Sequence, residues 1–325
     1  MEEELKSYRK ITNTVILLSV VLVCFILLTS YLTLRPPVRV QAEKATNDSI
    51  IKHIDHYIPV AFASSKEGEL ASYGEKLIKE TYNYFYRDGQ KIGNHLACTN
   101  CHLNGGTKSF AAPYIGLTGV FPIYIGREDK IESLEERING CFERSMNGEA
   151  IAINSTEMRA IITYIKHISD QTPVGKRIPG QGFVKIEAPE RAADPKSGLV
   201  VFQRQCQSCH GAEGQGIKLA NSKGYQYPPL WGPDSYNDGA GMSRLLTAAK
   251  FIKGNMPLGA THDAPILSDE DAYDVAAYIN SFPRPEKANK ELDYPNLAKK
   301  PKDTPYPPFN DEISQLQHKY GPYNF

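Results

Sequence analysis

The sequence predicts an all-α chain with one N-terminal transmembrane helix, two small helical domains in tandem and an irregular C-terminal tail. Three observations carry that prediction. Val15 to Leu34, "VILLSVVLVCFILLTSYLTL", is an uncharged run of twenty residues. The pattern Cys-x-x-Cys-His occurs twice, as "CTNCH" at 98–102 and "CQSCH" at 206–210. Stretches whose apolar residues recur at a period of about 3.6 flank each copy.

Composition limits the functions open to the chain. Its 325 residues have room for two modest domains, and 37 basic residues balance 37 acidic ones, so nothing draws the chain to nucleic acid.

The elements follow in order. Residues 1–14 are read as a cytoplasmic N-terminus and 15–34 as a membrane anchor, because at 1.5 Å per residue the run covers a hydrocarbon core of roughly 30 Å. The rival is a cleaved signal peptide, whose apolar part is usually about 7–15 residues and ends at a small-x-small site that this run lacks. Flanking charge leaves the orientation open, with Lys6, Arg9 and Lys10 before the run and Arg35, Arg39 and Lys44 after it. Cys24 lies inside the run and is read as a lipid-facing bystander. Residues 35–50, polar and carrying "RPP", read as a tether.

The cysteines settle the topology. In Cys-x-x-Cys-His two thiols bond to haem vinyl groups and the histidine ligates iron. Cys98, Cys101 and His102 are therefore assigned to one covalently attached c-type haem, and Cys206, Cys209 and His210 to a second. A zinc site or a thiol–disulfide pair is the plain alternative for a single copy. Two copies behind an apolar run favour haem, and the predicted class becomes two tandem cytochrome c (class I-like) domains. Bacterial attachment of such haems takes place outside the cytoplasmic membrane. The domains are thus expected in the periplasm, on a single-pass anchor in the cytoplasmic (inner) membrane.

The first haem domain is drawn at 51–170, a Pro/Gly-rich linker at 171–196, the second haem domain at 197–285 and the tail at 286–325. Helical patterns at 65–86 and 197–205 precede the motifs, and patterns at 155–169 and 268–282, with acidic first turns, close the domains.

The two domains repeat each other. "FPIYIGRED" at 121–129 matches "YPPLWGPDS" at 227–235, and "SMNGEA" at 145–150 matches "FIKGNM" at 251–256, both at an offset of 106. Met256, before a proline and ahead of the closing helix, is read as the second ligand of the haem on His210, with Lys253, His262 and Met242 as rivals. In that register Met256 faces Ala150, which has no donor atom. The haem on His102 needs a ligand from elsewhere, for which Cys141 leads Met146 and Met158. Arg137, Cys141 and Ser145 fall at i, i+4 and i+8 and share one face if the segment is helical. A cation one turn from a thiol favours thiolate, and with Arg127 from the preceding loop two guanidiniums would suit a small oxyanion. The plain alternative pairs both arginines with haem propionates or with Glu132, Glu136 or Asp129.

At "YIGREDK", "EERINGCFERSMNG" and "KFIKGNMPLG" the chain resembles the dihaem c-type thiosulfate dehydrogenases, some of which act as tetrathionate reductases, over about residues 60–285. The resemblance implies His102/Cys141 ligation at a catalytic haem and His210/Met256 at a relay haem, with Arg127, Arg137 and Ser145 at substrate-site positions. It implies thiosulfate and tetrathionate as substrates, bifunctional two-electron chemistry, and a redox partner, either a small cytochrome c or a membrane quinol-linked donor. Some members carry lysine just before the relay methionine; this chain has Asn255 there, with Lys253 nearby. The other classes in play are a non-enzymatic dihaem electron carrier and a dihaem peroxidase.

Overall fold

The computed structural model describes residues 2–34, 50–220 and 222–325. The predicted tether at 35–50 lies outside them except for residue 50, as do the side chains of the six basic residues flanking the apolar run. The chain divides into two units, 1–48 and 49–325.

The first unit is one helix, α1 (Glu2–Leu34). Within it Asn13–Tyr31 is long and apolar enough to cross a membrane, a test that a signal sequence near an N-terminus also passes. Side chains from Val15 to Leu27 are exposed, Cys24 included. The hydroxyls of Ser19 and Thr29 donate to the carbonyls of Val15 (2.8 Å) and Phe25 (3.0 Å), so the helix backbone itself satisfies them.

The second unit holds two helical domains in tandem. In the first domain α2 (Lys66–Lys79), the short kinked α3 (Leu103–Gly106), α4 (Leu134–Arg144) and α5 (Thr156–Ser169) are joined by two hairpins, β1–β2 (Tyr86–Arg87, Gln90–Lys91) and β3–β4 (Ile123–Ile125, Lys130–Glu132). The second domain has α6 (Pro195–Gln205), α7 (Gln207–His210), the hairpin β5–β6 (Ile217–Lys218, Tyr225–Tyr227), α8 (Leu245–Asn255) and α9 (Asp269–Ser281). In the tail lies α10 (Gln315–Tyr320).

Each domain is built on a crossing of its first and last helices. A Cβ on Gly74 of α2 would stand 2.0 Å from the Ala160 carbonyl oxygen of α5, and a Cβ on Gly198 of α6 would stand 2.0 Å from that of Asp274 on α9. Only glycine lets the backbones approach so closely. Ser155 and Ser268 cap α5 and α9, accepting from the amides of Met158 and Asp271. Leu77, Ile115, Met158 and Ile165 are sealed in the first core; Phe202, Leu245, Tyr273 and Val275 are sealed in the second.

Several expectations need correction. The helix expected over 65–86 stops at Lys79, because the Thr81 hydroxyl donates back to Leu77 O (2.8 Å) and accepts the Cys98 amide (3.1 Å). The three two-residue to three-residue hairpins were not foreseen in an all-α reading; such short pairings leave almost no alternation to detect. The tail is not wholly irregular, since α10 and two 3₁₀ turns (Lys290–Leu292, Leu297–Lys299) punctuate it. The gap-free repeat also fails at the helices. α4 and α8 are both 11 residues long, but their ends align at an offset of 111, which sets Met256 opposite Ser145, each the residue that caps its helix.

Candidate active site

Both Cys-x-x-Cys-His motifs hold their histidines in one orientation. His102 Nδ1 bonds the Ala112 carbonyl at 2.6 Å and His210 Nδ1 bonds that of Pro228 at 2.8 Å. A ring donating through Nδ1 keeps its Nε2 lone pair for a metal. The four motif cysteines form no disulfide. Burial pushes the thiols of Cys98, Cys101 and Cys206 up, to about 11, 12 and 11. This donor set fits covalently attached haem c, two thiols and one oriented imidazole per domain. The Tyr114 ring, absent from the sequence argument, lies 4.4 Å from the His102 ring.

Cys141 behaves differently from the motif thiols. It sits in the last turn of α4, whose start is fixed by a capping box: Ser133 Oγ accepts the Glu136 amide, and the Glu136 carboxylate accepts the Ser133 amide at 2.8 Å. The expected i, i+4 geometry brings Arg137 Nη1 to 3.2 Å from Cys141 Sγ. Burial would raise this thiol, but the Arg137 charge, the His102 ring and the Arg137 hydrogen bond outweigh it and hold Cys141 down to about 6. These neighbours favour the thiolate form of Cys141. Its rivals Met146 and Met158 are both buried in the first core.

Arg127 stands on the turn between β3 and β4. Its charge acts on the Arg137 guanidinium, so the two cations lie within range of each other. The carboxylates that might have neutralised them are engaged elsewhere: Glu136 with Lys130 at 2.9 Å, Asp129 with the Tyr124 hydroxyl. Glu132 is buried and, chiefly by burial, raised above the usual carboxylate range. Among the described residues the Arg127 guanidinium makes no ion pair, and its Nε is buried without a partner. Ser145 caps α4 from just outside it, and its carbonyl accepts from Asn94 Nδ2 at 3.0 Å.

The sequence argument missed Arg144. This side chain, 8% exposed, grips Asp293 of the tail through two bonds of 2.9 and 2.6 Å, and the Tyr306 hydroxyl donates to the same carboxylate at 2.6 Å. The partners are 149 residues apart, so no local pattern announces them.

In the second domain Met256 caps α8 and packs on the core that includes Cys206. Two of its rivals are committed elsewhere: Lys253 Nζ donates to Leu267 O (2.7 Å) and pairs with Asp269 (3.0 Å), and His262 pairs with Asp55 (2.9 Å). Asn255 is buried and bonds across to the Phe110 carbonyl of the first domain at 3.1 Å. The 234–237 loop reaches the end of α4: Asn237 Nδ2 donates to Glu143 O at 2.8 Å, and Asp234 holds the His95 ring at 3.1 Å. The two domains therefore meet at the helix that carries Cys141.

Comparison with known proteins agrees with these features. A SoxA/TsdA cytochrome c domain family matches residues 88–174, and a family described as cytochrome C oxidase, cbb3-type, subunit III, matches 193–279. Thiosulfate dehydrogenase of Psychrobacter arcticus is 43% identical over 224 residues, covering 68% of this chain and 66% of that protein. The Stutzerimonas stutzeri enzyme of the same name is 42% identical over 219 residues, covering 67% and 69% respectively. That of Allochromatium vinosum is 44% identical over 198 residues, covering 60% and 72%. The solved thiosulfate dehydrogenase (TsdBA) of Marichromatium purpuratum matches with a TM-score of 0.66 and 35% identity, over 71% of this chain and 50% of that one. The chain thus spans about two thirds of the relatives' lengths and half of the solved chain.

Proposed function

From the premise that the chain belongs to the TsdA/SoxA-type dihaem cytochrome c thiosulfate dehydrogenase family, we propose that it joins two thiosulfates into one tetrathionate with release of two electrons. One observation carries the reading: a thiolate-prone Cys141 held at 3.2 Å by Arg137, beside a second guanidinium, Arg127, that makes no ion pair among the described residues.

His102 and Cys141 would hold the catalytic haem in the 51–170 domain, and His210 and Met256 would hold the relay haem in the 197–285 domain. Each haem supplies a one-electron store, so the pair accommodates both electrons. Arg127 and Arg137 hold the sulfonate oxygens of thiosulfate, for which a planar guanidinium offers matched donors. Ser145, at the end of the same helix, borders that site. The Cys141 thiolate bonds to the outer sulfur of one thiosulfate as two electrons leave, giving Cys–S–S–SO₃⁻. A second thiosulfate attacks the middle sulfur of that adduct, the one bonded to Cys141 Sγ, breaking the Sγ–S bond, releasing tetrathionate and restoring the thiolate. This is nucleophilic catalysis at sulfur, with guanidiniums stabilising the charge. Run backwards, the same steps reduce tetrathionate, so the enzyme is bifunctional. Asn255 offers no amine and Lys253 is paired, which favours a fixed methionine at the relay haem.

The apolar run of α1 serves as the anchor in the inner membrane, with the haem domains in the periplasm. Electrons pass to or from a small cytochrome c or a quinol-linked partner.

Arg137→Ala tests the site. It removes both the oxyanion donor and the thiolate's partner, and kcat/KM for thiosulfate, read with ferricyanide as acceptor, should fall about 10²- to 10³-fold. An unchanged value with both haems attached would contradict the reading.

A further inference from the structure

The tail beyond residue 285 lies outside both matched family domains, yet it touches the residues around Cys141. The Tyr294 amide donates to the Arg127 carbonyl at 2.7 Å, and the Tyr294 ring centre is 5.9 Å from the Arg127 guanidinium carbon. Tyr294 adopts this pose at φ +59°, a left-handed conformation that costs a bulky residue energy and persists only where surrounding contacts impose it.

Neighbouring residues of the tail and of α4 supply those contacts. Asp293, next in the chain, is clamped by Arg144 of α4 and by Tyr306. Lys300 Nζ bonds the carbonyls of Tyr306 and Pro308, both at 2.7 Å, and lies 5.9 Å from the Tyr294 ring centre and 4.9 Å from that of Tyr306. Farther along, Asp303 takes Arg244 at 2.6 Å and accepts the Leu246 amide at the start of α8 at 3.0 Å. The tail is therefore a strap fastened to α4 and α8 by buried carboxylates.

The placement of charge along this strap matters. Asp293 is the strap carboxylate whose charge reaches Arg127, and Arg144 and Tyr306 already occupy it. What the strap offers Arg127 is the Tyr294 side chain, whose ring and hydroxyl both reach the guanidinium, and a backbone amide on the Arg127 carbonyl, which together fix the arginine without placing a free carboxylate on it. A carboxylate there would compete with an anionic substrate.

We propose that Tyr294 is a positioning residue of the substrate site, holding Arg127 in place so that the strap completes the pocket for the thiosulfate sulfonate. This rests on the reading of Arg127 as a substrate cation. Misplacing a binding group by about 1 Å can cost up to about 10²-fold, and loss of a desolvated cation–aromatic contact alone gives several-fold.

The experiment compares full-length holoprotein variants, each checked for two covalent haems, by the thiosulfate dependence of ferricyanide reduction. Tyr294→Ala should raise KM about tenfold with kcat within about threefold, and Tyr294→Phe, which keeps the ring and loses only the hydroxyl's interaction with the guanidinium, should raise KM clearly less than the alanine variant does. Tyr294→Leu, of similar bulk without the aromatic face, should behave as the alanine variant and decides the matter if that variant fails to fold. Arg127→Ala runs beside them. If it raises KM and the Tyr294 variants do not, the strap is only structural and the proposal fails. If Arg127→Ala also leaves KM unchanged, the underlying assignment of Arg127 is wrong.

Discussion

Cys141→Ala should lower thiosulfate-dependent turnover about 10³-fold or more, the loss expected when a covalent nucleophile is removed. Both haems should remain attached, because Cys141 lies outside both attachment motifs. The rate at which tetrathionate reoxidises the dithionite-reduced protein should fall in parallel, since forward and reverse reactions share the adduct. The carrier alternative predicts otherwise: an electron-transfer protein would keep its exchange rate with an external acceptor and show no thiosulfate activity even in the wild type. Peroxide turnover in the wild type would point to the peroxidase class. The cause of the expected loss is electrostatic as well as chemical. Alanine leaves Arg137, now bonded to Sγ at 3.2 Å, without its anionic partner beside Arg127.

The second large effect concerns stability. Asp293→Ala should destabilise the haem-loaded protein by about 3 kcal/mol, read as a lower denaturant midpoint, because it leaves Arg144 buried with only its longer contact to Glu128, at 3.5 Å, as an ionic partner. At 8% exposure on both sides, water cannot take the place of the carboxylate. Removing the charge on both sides, with Arg144→Met and Asp293→Leu, should recover most of the loss, since a buried ion pair is worth little against well-packed apolar side chains. Equal destabilisation by the double variant would mean that shape, rather than charge, fastens the strap.

The contrast between these two sites shows what a single sequence discloses. Cys141 and Arg137 are four residues apart on one helix, so the periodicity that predicts the helix also predicts their contact. The two Cys-x-x-Cys-His motifs are equally local, and each fixes three donors within five residues. The closing helices α5 and α9 were legible from their serine caps, acidic first turns and apolar spacing. The Arg144–Asp293 clamp and the Tyr294–Arg127 contact join the first domain to a tail with no periodicity, and nothing local reports a pairing at that distance. The repeat register suffered from the same limit. Matching short segments fixed an offset of 106, whereas the ends of α4 and α8 align at 111, because loops absorb insertions that helices do not. Cys141 keeps its candidacy under either alignment, since neither Ala150 nor Ser145 offers a soft ligand. The early end of α2 has its cause seventeen residues away, where Cys98 claims the Thr81 hydroxyl.

The central claim is that Cys141 forms a bond to thiosulfate sulfur. Oxidised wild-type protein should be mixed with thiosulfate, quenched in acid, digested and examined by mass spectrometry at the peptide containing Cys141. The account predicts an adduct with the mass of one thiosulfate on Cys141, removed by a thiol reductant and absent from protein not exposed to substrate. An unmodified Cys141 in protein that is actively forming tetrathionate would contradict it.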